Sequence, residues 1–308
     1  MKIIFAGSSE FGIPALEKLH VQRDFELLLA ISQPARPKGR KQLLEDTPLC
    51  QSANHLGIPT FCPEDVNDPA SLRKLAEYPA DILVTASYGA FLGKTLRGMY
   101  PKAINLHPSL LPLYRGPSPI RAAILAGDAV SGNTIFRLSN KMDAGPILIQ
   151  EQLEILPDED YGSLHARLAN QAAEMLIRYL RQPAEYPEIK QDHSRASYSR
   201  MVEKQDLHLD VSLPAVELSR RIRAYATDPG AYVMFRDKML KLLRAEICAA
   251  YVQAKPGTII AIDPARGFML STGDAALWIT RLQAAGKKIM DARDYLLGAR
   301  LEIGEMIT

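Results

Sequence analysis

The sequence predicts an α/β protein in which an open, mainly parallel, Rossmann-like sheet is followed by a smaller OB-like β-barrel domain. Three observations carry this expectation. Short apolar runs in the first half end in polar residues and alternate with segments of helical spacing, the pattern of a parallel sheet covered by helices. A polar, proline-containing stretch then interrupts the chain, and after it the pattern changes to closely spaced β-like runs with one helix. The size agrees, since 308 residues, 47% hydrophobic and 23% charged, are enough for two domains with buried cores.

The opening KIIFAG is an apolar run closed by a glycine turn, and Phe11 to Leu19 then carries helical spacing with Pro14 tolerable in a first turn. Further strands are expected at Phe25 to Ile31, Asp81 to Ala86 and Ala103 to Leu106, with helices at Pro69 to Glu77 and Ser118 to Ala126. In such sheets the ligand crevice lies outside the carboxyl ends of the strands, which are here Ser32 and Gln33, Ser87 and Tyr88, and His107 and Pro108. Tyr161 to Leu180 is apolar at helical spacing and stops before Pro183. It closes a first domain of residues 1–181. Residues 182–205 are polar with two prolines and read as a linker, and residues 206–308 form the second domain. There a helix at Ala215 to Tyr225 precedes short strands at Ala231 to Phe235, Met239 to Ile247, Gly257 to Ile262, Phe268 to Ser271 and Ala276 to Arg281.

Several function classes are excluded. A net charge of +2 is too mild for indiscriminate coating of nucleic acid, although residues 204–308 hold 15 basic against 12 acidic side chains. The N-terminus lacks a signal-peptide core and no apolar stretch is long enough to span a bilayer, so a cytoplasmic protein without membrane attachment is expected. Cys50, Cys62 and Cys248 are odd in number and lack CxxC spacing, which speaks against a disulfide framework or a zinc site. Gly7 to Gly12, GSSEFG, lacks the middle glycine of a dinucleotide fingerprint, and Glu10 would crowd a pyrophosphate, so an NAD-dependent oxidoreductase is disfavoured. His20, His55, His165, His193 and His208 have no companion at ligand spacing and read as surface or satisfied core residues.

The densest chemical signal is AINLHPSLLPLYRGPSPIRAAILAGD, residues 103–128. In an extended strand Asn105 and His107 share a face while Leu106 points to the other, so two polar groups arrive together at a strand's carboxyl end. Pro108 and Pro112 bracket Ser109, Leu110 and Leu111 and fix backbone against which a flat ligand can lie. By themselves Asn105 and His107 also fit capping and turn roles, and Asp143, before Ala-Gly, also fits a turn former.

NLHPSLLP, followed 36 residues after its histidine by Asp143 in KMDAGPIL, resembles the signature of the folate-dependent formyltransferases. The resemblance implies that Asn105, His107 and Asp143 form the catalytic trio and that Ser109, Leu110, Leu111 and Pro112 form the tetrahydrofolate-binding turn. It also places Tyr88 and Gly89, in ASYGAFL, on the wall of the folate pocket. The residue types suit formyl transfer: Asn105 can donate to a developing oxyanion, a contribution of about 3 kcal/mol, and His107 can donate a second bond. Asp143 can hold the imidazole and accept the amine proton, directly or through a water. The chemistry requires neither a metal nor a covalent enzyme intermediate.

The tRNA-directed members of the family are resembled over nearly the whole chain, since IRAYATDPGAYVMF (Ile222 to Phe235) and LQAAGKKIMDARDYLLG (Leu282 to Gly298) match their C-terminal domain. This implies transfer of the formyl group of 10-formyltetrahydrofolate, as co-substrate and without a metal, to the α-amino group of initiator methionyl-tRNA by a cytoplasmic monomer. The resemblance puts QPARPKGRKQ, with Arg36, Lys38, Arg40 and Lys41, at the loop that wedges into the tRNA acceptor end. Four cations on a backbone interrupted by Pro34, Pro37 and Gly39 suit a loop without regular structure that orders on phosphates. Lys287 and Lys288, with Arg236, Lys238, Lys241 and Arg244, are further candidates for tRNA contact, a solvated basic face being the alternative. Two departures from the family pattern stand out: Asn133 occupies a position usually small and apolar, and Asp46-Thr47-Pro48 replaces a Pro-Ser-Pro-like phrase. A sugar-nucleotide N-formyltransferase, a non-catalytic tRNA-binding module and a 10-formyltetrahydrofolate hydrolase are the alternatives.

Overall fold

Strand β1 (Lys2–Gly7) buries Ile3 to Ala6 completely because it has a sheet neighbour on each side and is covered on both faces. From it the chain runs through α1 (Ile13–His20), β2 (Glu26–Ile31), a small hairpin of β3 (Arg36–Lys38) and β4 (Leu43–Glu45), α2 (Pro48–His55) and β5 (Thr60–Phe61). It continues through α3 (Pro69–Ala76), β6 (Ile82–Ala86), α4 (Lys94–Gly98), β7 (Lys102–His107), α5 (Pro119–Ala126), β8 (Val130–Arg137), β9 (Ile147–Glu154) and α6 (Tyr161–Arg181). The computed structural model describes residues 1–38, 42–248 and 254–308. They divide into one unit of Met1–Pro119, Val130–Glu154 and His165–Arg200 and a second of Ile120–Ala129, Ile155–Leu164 and Met201–Thr308.

The helix starts follow from local chemistry. Thr47 Oγ1 accepts from the Cys50 backbone N–H at 3.2 Å and Asp68 Oδ1 from those of Ala70 and Ser71 at 2.6 and 2.9 Å, while prolines sit in the first turns of α1, α2 and α3.

The seven-stranded sheet has the order β5-β2-β1-β6-β7-β8-β9, parallel from β5 through β7 and antiparallel from β7 onward. After β5 the chain returns to the opposite side of β1, so the carboxyl ends of β1 and β6 flank a topological switch point, the position at which such sheets take ligands. Ser8 joins these ends, its N–H donating to the Ser87 carbonyl at 3.1 Å and its Oγ to the Tyr88 carbonyl at 2.8 Å. β7, which carries Asn105 and His107, lies next to β6.

In the second unit α7 (Ala215–Tyr225) precedes β10 (Tyr232–Phe235), β11 (Lys238–Cys248), β12 (Ile259–Asp263), β13 (Gly267–Ser271), β14 (Ala276–Ala284), β15 (Met290–Asp291) and α8 (Ala292–Ala299). The antiparallel order is β10-β11-β14-β13-β12, with β15 also on β14, and Phe268, Ile279, Leu282, Val233 and Ile222 form its core. Residues 306–308 reach both edges. Thr308 exchanges two backbone bonds with Met234 of β10, at 2.5 and 2.9 Å, and the Ile307 N–H donates to Gly257, just before β12, at 2.8 Å.

Three features differ from the sequence expectation. Strands β8 and β9 and helices α2 and α8 are additional; β8 is buried at every interior position, so it lacks the alternation that marks a half-exposed strand. The described part of the basic segment is a strand and not a loop, because Arg36 and Lys38 pair with Glu45 and Leu43 and Pro37 stands at the one intervening position of a two-stranded edge. Residues 182–200 are not a free linker. They are tied to the first unit by the Ile147–Ile189 pair of backbone bonds, both 2.8 Å, and by Arg115, whose N–H donates to Ser197 at 2.9 Å and whose carbonyl accepts from Ser199 at 2.7 Å. Cys50 and Cys62, which the sequence placed in no disulfide framework, are free thiols with sulfurs 3.4 Å apart.

Asn133, the departure noted in β8, is buried, and its Nδ2 donates to the Leu168 carbonyl at 2.8 Å and to Gln171 Oε1 at 2.9 Å, fastening β8 to α6. Asn133→Ala is expected to lower stability by about 1 kcal/mol, read as a shift of the urea midpoint at constant m-value.

Candidate active site

The strand end of β7 presents two polar side chains with different anchoring. Asn105 Oδ1 accepts from the buried Thr85 hydroxyl at 2.6 Å, across the β6–β7 pair in which the two residues are neighbours. That bond fixes the amide so that its Nδ2 donors point away from Thr85. His107, 5% exposed, lies edge-on to the Phe136 ring with centroids 6.3 Å apart, and its Nε2 is 3.0 Å from the Tyr114 carbonyl. A carbonyl can only accept, so Nε2 carries the proton and Nδ1 is the nitrogen turned to the reaction side.

Facing that nitrogen is Asp143, whose Oδ2 lies 3.8 Å from His107 Nδ1. The same oxygen accepts from the Gly116 backbone N–H at 2.7 Å. Asp143 sits in the turn between β8 and β9 with φ at +47°, a left-handed conformation that aspartate tolerates better than most residues. The turn is crowded. A Cβ at Gly145 would lie 1.7 Å from the Arg137 carbonyl, so glycine is required for the chain to fold back there.

The segment Ser109–Pro112 leaves β7 in a rigid turn. Thr134 Oγ1 donates to the Ser109 carbonyl at 2.6 Å and accepts from the Leu111 N–H at 3.1 Å, while Gln150 Nε2 donates to the Leu111 carbonyl at 2.9 Å. Ser109 and Leu111 are buried, and the Ser109 hydroxyl donates internally to Leu113 at 2.7 Å. The turn therefore offers Leu110, Pro112 and backbone to a ligand rather than the serine hydroxyl. A similar correction applies to Tyr88. Its side chain, 5% exposed, packs with Leu92, Leu96 and Val66 instead of forming an open wall, and burial pushes its phenol up to about 12. The exposed groups there are Ser87, Gly89 and Ala90, with Ser87 and Gly89 both at positive φ.

The chain is matched along its length by two family models, Formyl transferase over residues 1–180 and Formyl transferase, C-terminal domain over residues 201–300. It is 39% identical over 314 residues to the methionyl-tRNA formyltransferase of Roseiflexus castenholzii, covering 100% of this chain and 99% of that protein. The chain belongs to the methionyl-tRNA formyltransferase family. The family member of Halalkalibacterium halodurans is 36% identical over 314 residues, covering 100% of this chain and 98% of the relative. The fold is also that of HypX from Aquifex aeolicus, solved in complex with tetrahydrofolic acid (TM-score 0.64, 17% identity, 100% of this chain and 50% of HypX). A Helicobacter canadensis N-formyltransferase, solved with folinic acid and dTDP-3-aminofucose, has a TM-score of 0.64 at 17% identity, covering 94% of this chain and 100% of that one.

The candidate basic residues of this formyltransferase are placed unequally. Arg36 pairs with Glu64 at 3.0 Å, the backbone of Lys38 ends β3, and Arg40 and Lys41 lie outside the described residues. Lys287 and Lys288 are exposed in the turn between β14 and β15. Arg236 is engaged internally, with Glu305 at 2.7 Å and with the carbonyls of Ala299 and Arg300 at 2.8 and 2.9 Å, and Lys241 donates to Pro229 at 2.6 Å. Sequence reasoning missed Thr85, Gly116 and Thr134, which hold the site through contacts between residues distant in the chain. Only the adjacency of Gly116 to the NLHPSLLP phrase hinted at any of them.

Tyr88 gives a spectroscopic check. Burial keeps its phenol neutral to about 12, whereas the unfolded chain ionises near the ordinary 10, so the folded state binds the extra proton in this window. Stability is therefore expected to fall as pH rises from about 10 to about 12. The difference in phenolate absorbance between the wild type and Tyr88→Phe should show a step near pH 12, and a step near pH 10 would contradict the buried placement.

Proposed function

We propose that this formyltransferase moves the formyl group of 10-formyltetrahydrofolate to the α-amino group of methionine on initiator tRNA. The observation that carries the chemical part is the approach of a carboxylate and an imidazole, 3.8 Å apart, at the strand end that also presents the Asn105 amide. The amine nitrogen attacks the formyl carbon, forming the C–N bond, and the carbonyl oxygen becomes an oxyanion. Asn105 Nδ2 donates to that oxyanion, left free for the purpose because Thr85 holds Oδ1. His107 supplies a second donor through Nδ1 once that nitrogen is protonated. Asp143 accepts the proton lost by the amine and passes it, directly or through a water, to tetrahydrofolate N10 as the tetrahedral species collapses, so that the C–N10 bond breaks, N10 leaves protonated and the carboxylate is restored. The gain comes from holding both substrates in register, with no covalent enzyme intermediate.

The folate reading is supported by the topological switch point between the ends of β1 and β6, by the exposed Ser87, Gly89 and Ala90 and by the rigid Ser109–Pro112 turn, which suits a flat ring. The ligands named for HypX and for the Helicobacter canadensis enzyme, tetrahydrofolic and folinic acid, fall in the same class. The tRNA reading is supported by full-length relatives named for that acceptor and by the match over residues 201–300. In it, Lys38, Arg40 and Lys41 and the Lys287–Lys288 turn of the OB-like domain meet tRNA phosphates in the cytoplasm. Arg36 contributes less because Glu64 already neutralises it.

The test is incubation with charged initiator tRNA and 10-formyltetrahydrofolate, with mass-spectrometric detection of formyl-methionyl-tRNA. Its appearance is expected, and formylation of an amino-sugar nucleotide instead would overturn the acceptor. Asn105→Ala, His107→Ala and Asp143→Ala should each lower turnover on the order of 100-fold or more with tRNA affinity kept within a few fold. Arg40→Ala and Lys41→Ala should instead weaken tRNA binding and reduce the slope of log affinity against log salt by about one each. Equal losses of tRNA affinity in both sets would contradict the division of roles.

A further inference from the structure

We propose that Gln191 is a positioning residue for Asp143, held in its working orientation by the guanidinium of Arg115. The inference rests on the reading of Asp143 as the proton acceptor. Its observation is a bond pattern around a strained turn. Gln191 Nε2 donates to the carbonyl of Asp143 at 2.8 Å and to that of Gly145 at 2.7 Å, so both amide hydrogens are committed to the turn that carries the carboxylate. Gln191 Oε1 accepts from Arg115 Nε at 3.2 Å and Nη2 at 2.6 Å. A guanidinium has only donors, so it must face the oxygen of the amide, and the NH₂ end must then face the two carbonyls. The orientation of Gln191 is thus dictated by its neighbour.

Arg115 is itself constrained. It is 3% exposed and Gln191 7%, so the bonds between these two side chains are out of water, where hydrogen bonds are stronger and broken ones more costly. Arg115 Nη2 also lies 2.9 Å from His193 Nδ1, which must accept, so the neutral ring carries its proton on Nε2. Nη1 reaches the Tyr198 hydroxyl at 3.4 Å, and the Arg115 backbone is bracketed by Ser197 and Ser199. The residue after it, Gly116, gives its N–H to Asp143 Oδ2. One dipeptide therefore grips Asp143 twice, directly at the carboxylate through Gly116 and indirectly at the backbone through Arg115 and Gln191. A left-handed φ at residue 143 persists only when its surroundings over-determine it. Without the two Gln191 bonds, the turn loses the contacts that offset its strain, and the carboxylate leaves the neighbourhood of His107.

Gln191→Ala would strand the buried guanidinium and risks a failure to fold, so the informative variant is Gln191→Glu. It keeps the volume and gives Arg115 a better acceptor, but replaces both donors by an oxygen facing two carbonyls. Gln191→Glu, Asp143→Asn and the double variant are compared by thermal unfolding and by steady-state formylation of methionyl-tRNA. The expected result is a folded Gln191→Glu protein with kcat lowered at least tenfold and both KM values within about twofold of wild type, as for a loss confined to the transition state. The double variant should be no slower than Asp143→Asn alone, because Gln191 acts only through Asp143. A purely structural role would instead lower the unfolding temperature and leave kcat per folded molecule unchanged. Wild-type kcat in Gln191→Glu while Asp143→Asn is impaired, or multiplying losses in the double variant, would overturn the inference and leave the reading of Asp143 standing. Wild-type kcat in Asp143→Asn would remove that reading and this inference with it.

Discussion

The carboxylate of Asp143 reaches His107 only because residue 143 is held at φ +47°, and the rest of the site is arranged around keeping that turn in place. An aspartate in the left-handed region carries a strain on the order of 1 kcal/mol, small enough to be offset by a few buried hydrogen bonds. Gly145 lets the chain fold back against Arg137, Gly116 holds the carboxylate, and Gln191 holds the backbone on either side. The segment 182–200 belongs to the first unit for this reason as much as for its packing.

The opposite wall of the site is built on strands and is rigid by construction. Asn105 and His107 stand on β7 between β6 and β8, and each has one polar atom tied to a fixed acceptor or donor, Thr85 for the amide and the Tyr114 carbonyl for the imidazole. In both cases the bond determines which atom of the side chain is left free. Thr134 and Gln150 do the same for the Ser109–Pro112 turn by occupying its carbonyls and one N–H. Donors that are oriented before substrate arrives need no reorganisation as charge develops, which is where such sites gain most of their effect.

Much of the architecture was legible in the sequence because apolar runs, prolines and capping residues act locally. The strand starts and ends around β1, β2, β6 and β7 and the long α6 follow from periodicity alone. β8 was not legible, since its buried positions include the polar Ser131, Asn133 and Thr134 and so show neither alternation nor an apolar run, and the β3–β4 hairpin was hidden by Pro37, which reads as a breaker yet is tolerated in a two-stranded edge. The residues proposed for chemistry came from a phrase, NLHPSLLP, and a second phrase 36 residues beyond its histidine. What fixes them did not. Thr85 lies 20 residues before Asn105 and Gln191 lies 48 after Asp143, and neither carries a local mark of its role. Tyr88 illustrates the converse, an aromatic residue at a strand end that looked like a binding wall and turns inward to the core.

The central claim concerns where the acceptor amine meets the carboxylate. The most direct measurement is a crystal structure of the enzyme with a non-reactive folate analogue and an aminoacyl-adenosine mimic of the charged tRNA end. The account expects the amine nitrogen within about 3 Å of an Asp143 oxygen, or one water away, with the formyl oxygen in hydrogen-bond reach of Asn105 Nδ2. An amine bound on the far side of the formyl group, with Asp143 facing only His107 and Gly116, would contradict it.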